Sequence, residues 1–172
     1  MQGLKKTSLA IVFIIVVAVA SLGTALAGGI NSTYKWAWND VMGWIDFRGN
    51  PPNDINVVDA KLKNYGFFYS DQTSYIALDC QTTPNGDICV SNNFFVSNDN
   101  QGNLAGWAWN DVVGWISFCG SSAGGSTYSG STWACPTSPT YQVTIDDDDG
   151  YFHGWAWNDV VGWISFNCDN SG

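Results

Sequence analysis

The chain has 172 residues, with fifteen acidic side chains, all of them Asp, against six basic ones and a formal net charge of −9. That balance repels phosphate backbones and anionic lipid headgroups, which excludes nucleic acid as an expected partner. An aromatic content of 15% with only 12% charged residues excludes disorder, and the wealth of Gly, Asn, Ser and Asp with almost no helix-forming stretch points to an all-β chain.

At the N-terminus, Lys5 and Lys6 precede an apolar run from Leu9 to Ala20 that ends in Ala25-Leu26-Ala27 before Gly28. This is the pattern of a cleaved secretory signal, residues 1–27. The alternative is an uncleaved membrane anchor, because Thr7 to Ala27 carries no charge and is about long enough to span a bilayer. A short leader cut after Gly3 is disfavoured, since it would leave both lysines inside the mature hydrophobic segment. In each case the remainder is expected to be secreted or displayed on the cell surface. Residues 28–172 then form one domain of 172 − 27 = 145 residues, with a charge of 4 − 15 = −11.

After a polar lead-in containing the glycosylation triplet Asn31-Ser32-Thr33, the first of several repeats runs from Lys35 to Phe47. Its sequence returns, altered at three positions, as Gly106 to Phe118 and again as Gly154 to Phe166, the last two being identical. Lys35 stands for the first Gly, Met42 for the second Val and Asp46 for Ser. Nine of the ten tryptophans fall in these copies: Trp36, Trp38 and Trp44; Trp107, Trp109 and Trp115; Trp155, Trp157 and Trp163. Repetition of this kind decides architecture before any single residue does.

Within a copy, Trp-Ala-Trp and Trp-Ile-Ser-Phe each alternate with the period of a half-buried strand, and Asn-Asp-Val-Val-Gly between them carries the turn residues. Each copy therefore reads as a hairpin. Two registers are possible. If the loop is Asn110 to Val113, then Trp107, Trp109, Ile116 and Phe118 share a face; if Gly114 joins the loop, all three tryptophans line one face. The first is preferred, with the tryptophans as the repeat core. A fully buried indole removes roughly 150–250 Å² from water, worth about 4–6 kcal/mol as an upper bound.

Between the first two clear copies lies a degenerate fourth unit, in which Leu62 to Phe67 matches Leu104 to Trp109 and Tyr75 to Leu78 matches Trp115 to Phe118. The units fall near 34–48, 60–80, 94–119 and 141–168. Phe94 to Leu104 aligns without gaps on Gln142 to Phe152, each reading as a strand and polar turn leading into the following Trp-Ala-Trp strand. The expected fold is all-β, tandem hairpins or meanders stacked as a β-sandwich or short β-solenoid and stapled by disulfides.

The repeats resemble the G-[WY]-A-W-x-x-x-x-G-[WY]-I-x-F modules found in exported proteins of several bacterial lineages. The resemblance covers the three clear copies and their approach strands, and it implies an exported β-repeat protein with no catalytic residues to carry over.

Five cysteines in an exported chain read as two disulfides and a remainder. Cys80 and Cys89 bracket one loop and Cys119 and Cys135 another, so pairing within each bracket is the simplest scheme. Cys168 is left for a bond between subunits or a free thiol. Catalytic parts are scarce: His153 is alone, Glu is absent, and Asp40, Asp111 and Asp159 sit in turns where Asp bonds to backbone. The chain is expected not to be an enzyme. Asp146, Asp147, Asp148 and Asp149 are the one candidate metal cluster, for Ca²⁺, although a solvated turn is the plainer reading and otherwise no cofactor is expected. Two functions remain. One is a structural subunit that assembles with itself into a filament or surface array through unpaired strand edges. The other is a carbohydrate-binding module using Trp platforms, with a glycan as partner; a membrane is a partner only if residues 1–27 stay attached.

Overall fold

The computed structural model describes residues 28–48, 54–58, 60–91, 93–146 and 148–166. The expected signal segment 1–27, Asp147 and Cys168 lie outside them. Only β-strands and turns occur among the described residues.

The four repeats form the four hairpins expected: Trp36–Asn39 with Gly43–Asp46, Tyr65–Phe68 with Tyr75–Ala77, Leu104–Asn110 with Gly114–Ser117, and Phe152–Asn158 with Gly162–Ser165. They do not stack as a sandwich or solenoid. The second strand of each pairs antiparallel with the first strand of the next, and the last returns to the first, Ser165 opposite Trp38. The result is a closed eight-stranded barrel. Closure removes the free edges that an open array would leave.

The register is the one not preferred from sequence. Asn110 pairs with Gly114 and Trp109 with Trp115, and the same pairing holds in the first and last hairpins. The loop is three residues, Asp111 to Val113, closed by a glycine at positive φ: 77° at Gly43, 80° at Gly114 and 77° at Gly162. A left-handed glycine directly after the loop brings the chain back into the ladder, and the odd loop length turns every Trp of a copy to the same side.

That side is the outside. The barrel interior holds a small residue opposite an Ile in each hairpin: Ala37 and Ile45, Gly66 and Ile76, Ala108 and Ile116, Ala156 and Ile164. Eight strands leave an interior just wide enough for side chains to fill, and alternating small with large ones fits the taper. Gly66 replaces Ala because a Cβ there would lie 2.7 Å from Cδ1 of Phe47. One end of the barrel is closed by the residues after the Ile strands, with Phe118 and Phe166 at 5.3 Å and Phe47 and Phe166 stacked at 5.3 Å. The core continues from there through Leu78, Val96, Leu104 and Val143.

The tryptophans are therefore not the repeat core. Trp38, Trp44, Trp115, Trp155 and Trp163 are 37–48% exposed, whereas the Ala and Ile of the same strands are at most 2% exposed.

Two further sheets grow from the barrel. Leu104–Asn110 and Phe152–Asn158 are long enough to pair at their near ends with approach strands Val96–Asn98 and Tyr141–Ile145. Val96 lies opposite Gly106 and Val143 opposite Gly154, so the gapless alignment of the two approaches slips by one residue and the acidic turn is one residue longer. The first sheet runs on through Lys61–Lys63 and Asn56–Val58 to Gly28–Gly29, the second through Cys119–Ser121 to Gly124–Gly125. The strand bends at Gly154, where φ is 86° and a Cβ would meet the Gln142 carbonyl oxygen at 2.1 Å. In the degenerate unit Asn64 takes this place at φ 70°, Asn being the residue besides Gly that best tolerates such a conformation.

Candidate functional site: the aromatic outer wall

Ladder register places the outward side chains in four rows around the barrel. Trp44, Trp38, Ser165 and Trp155 form one, and Trp163, Trp157, Ser117 and Trp107 the next. Trp115, Trp109, Ala77 and Tyr65 follow, then Tyr75, Phe67, Asp46 and Trp36. Every row is three aromatics interrupted by the variable residue of Trp-Ile-x-Phe. That residue is buried, 0–9% exposed, between the aromatic neighbours of its row. Within each Trp hairpin the rings meet edge to face, with centroids 4.9 Å apart for Trp38 and Trp44, 4.7 Å for Trp109 and Trp115, and 4.7 Å for Trp157 and Trp163. Such contacts hold the indoles in fixed orientations.

Asp and Asn of the turn divide two tasks. The indole Nε1 of Trp38, Trp109 and Trp157 donates to Oδ1 of Asp40, Asp111 and Asp159, at 3.1, 2.8 and 2.9 Å. These carboxylates thus hold side chains, where the sequence suggested backbone bonding. Backbone bonding falls to the preceding Asn. Asn158 Oδ1 accepts from the amides of Val160 and Val161, while its Nδ2 donates to the carbonyls of Val113 and Trp115 on the neighbouring hairpin. Asn39 clasps Val161 and Trp163 in the same way, and Asn110 clasps Tyr75. At the remaining junction the degenerate hairpin has no such Asn, and the Tyr69 amide donates to the Trp44 carbonyl instead.

Copy one departs from the others at Lys35 and Asp46, and the two departures explain each other. Lys35 Nζ lies 2.6 Å from Asp46 Oδ2 and 4.7 Å from the centre of the Trp36 ring.

The disulfides join the pairs expected, Cys80 to Cys89 and Cys119 to Cys135. Both loops cover outer-wall aromatics. The first packs Ile88 and Cys89 against a cluster that includes Tyr65, Tyr75 and Phe94, which Trp109 also borders, and the second lays Gly125 so close on Trp107 that a Cβ would sit 2.8 Å from its Cζ2. Among the described residues neither disulfide-closed loop lies over hairpins one and four, where Trp38, Trp44, Trp155 and Trp163 are open on adjoining strands; Trp115 of hairpin three is also open.

Under the first loop, Tyr75 donates its hydroxyl to Asp111 Oδ2 at 2.9 Å and accepts from Asn85 Nδ2 at 3.0 Å. Burial, and then the Asp111 carboxylate, push its phenol from an ordinary 10 up to about 12. The unfolded chain ionises first, so this contribution is intact below pH 10 and is lost as pH rises from 10 toward 12. Thermal unfolding followed across that range should show a fall in midpoint that Tyr75→Phe flattens.

Of the acidic cluster, Asp146 Oδ1 accepts from the amides of Asp148 and Asp149, and Asp149 Oδ1 from that of Tyr151. These are turn-forming bonds. No group of three or more His, Cys, Asp or Glu side chains comes together among the described residues. His153 lies at the start of the strand Phe152–Asn158, opposite Thr144 of the last approach strand. The open aromatic wall is the surface with the most distinct chemistry, offering fixed indole faces with carboxylate acceptors alongside. Compared with family models, curated proteins and solved structures, the chain matches none.

Proposed function

We propose that the protein is an exported carbohydrate-binding module that holds neutral polysaccharide across the open tryptophans of hairpins one and four. The observation that carries this reading is the exposure of four indoles, Trp38, Trp44, Trp155 and Trp163, at 37–48% on adjoining strands, whereas in the other two hairpins only Trp115 reaches that range, at 40%. Exposed apolar patches of this kind on a soluble protein mark binding surfaces. The apolar faces of sugar rings stack on indole, and hydroxyls beside them find acceptors in Asp40 and Asp159, both exposed at the rim. The strongly acidic surface disfavours anionic polymers along this wall. Two disulfides suit a life outside the cell.

The purified chain should be retained on insoluble neutral polysaccharides such as cellulose, chitin or xylan. A Trp44→Ala/Trp163→Ala double variant, with its fold checked by circular dichroism, should lose at least about tenfold in affinity, as removal of aromatic anchors does elsewhere. Equal retention of both proteins, or of neither, would refute the reading.

Self-assembly is the second reading. It is favoured by the outermost strands Gly28–Gly29 and Gly124–Gly125, each paired on one side only among the described residues. They are two residues long apiece and offer few backbone groups to a neighbour. Fibres or arrays under negative stain, without polysaccharide binding, would select it.

A further inference from the structure

Between the two disulfide-closed loops lie two hollows that share Asn93. One, of about 300 Å³, is walled by Phe94, Trp107, Trp115 and Trp133. The other, of about 660 Å³, takes in Lys61 and Lys63, with Gln81 and Ser131 among its polar lining. We infer that this double cleft is a second binding site, for a glycan residue that carries a carboxylate, with the ring among the indoles and the acid at Lys63.

The charge distribution supports this assignment. The described residues include four basic side chains, Lys35, Arg48, Lys61 and Lys63. Lys35 pairs with Asp46, Arg48 with Asp54, and Lys61 with the fully buried Asp79 at 2.9 Å. Lys63 takes part in none of these ion pairs. Alternation along Lys61–Lys63 sends Leu62 into the core, at 0% exposure, and both lysines outward into the hollow. An acidic molecule that repels anions elsewhere thus concentrates half of its described cations at one concave place. Lys61, neutralised by Asp79 and held by Gln81 Oε1 at 2.7 Å, is fixed in position, which leaves the Lys63 charge for a ligand.

The neighbouring walls narrow the ligand further. Three indoles and a phenyl ring select a flat or chair-shaped ring over a simple anion. Asn93, Gln81 and Ser131 offer polar atoms to several hydroxyl groups, which a phenylalanine side chain lacks. A uronic acid satisfies all three features.

This site goes beyond the open platforms and stands or falls independently of them. The full chain would be titrated at low salt with methyl glucuronide, methyl glucoside and N-acetylphenylalanine, followed by calorimetry and tryptophan fluorescence. Glucuronide should bind about tenfold or more tighter than glucoside, the scale of one charge-assisted hydrogen bond. Lys63→Met should erase that difference and Lys63→Arg should keep it, while retention on insoluble neutral polysaccharide should be the same in both variants as in the parent chain. Equal binding of the two sugars, equal binding of N-acetylphenylalanine, or undiminished preference in Lys63→Met would overturn the inference.

Discussion

Phe118→Ala is expected to lower the free energy of unfolding by about 3–5 kcal/mol, and Trp163→Ala by roughly half as much or less, although the indole is the larger side chain. Phe118 is fully buried at the closed end of the barrel, in contact with Phe166. Its removal leaves a cavity that backbone held in a closed ring is poorly able to collapse. Trp163 is 48% exposed on the outer wall; truncating it gives up contacts with Trp157 and Tyr141 but opens no void in the core. Urea or guanidinium denaturation of the two variants measures the order directly. The reverse order would mean that the indoles carry the fold after all.

Asn158→Ala is expected to cost about 3 kcal/mol, a large loss for a single amide. The side chain is 1% exposed and makes four bonds, two to its own turn and two to the adjacent hairpin. Alanine deprives two amides of a cap, worth about 1 kcal/mol on its own, and leaves carbonyls of Val113 and Trp115 short of a donor, a further cost of about 1–3 kcal/mol where water is excluded. Asn158→Asp keeps the acceptor but sets a carboxylate against those two carbonyls, and should be no better. Asp159→Asn, one residue on, retains an oxygen for the Trp157 indole and should cost well under 1 kcal/mol. Thermal melts of the three variants separate clasp from rim.

The hairpins, their number and both disulfides were legible in the sequence because each is a local pattern: period-two aromatics, a turn closed by Gly, cysteines bracketing their own loops. The face of the sheet was not. One residue of loop length decides it, and Asn-Asp-Val-Val-Gly permits either count until the pairing of Asn110 with Gly114 is seen. Hydrophobicity misled in the same direction, since burying nine indoles looks better than burying Ala and Ile. The competing constraint is volume, because an eight-stranded barrel has no room for Trp inside. The Asn clasp also escaped, since its partners lie in another repeat. One signal was available and unused: Lys35 and Asp46 depart from the repeat together, and a paired departure of opposite charges predicts their contact. The nine tryptophans, read from the sequence as the repeat core, lie instead on the outer wall.

Ring closure also constrains the order of folding. The Asn39 side chain reaches carbonyls 122 and 124 residues further along the chain, so the earliest hairpin acquires its second neighbour only once the latest one exists. Contacts of such separation are slow to form because their entropy is lost before they are rewarded. A chain emerging from the ribosome N-terminus first would therefore present hairpin one with an unpaired edge until residues 155–165 arrive. Joining the ring elsewhere, by circular permutation through a turn, should change the rate of folding far more than the final stability.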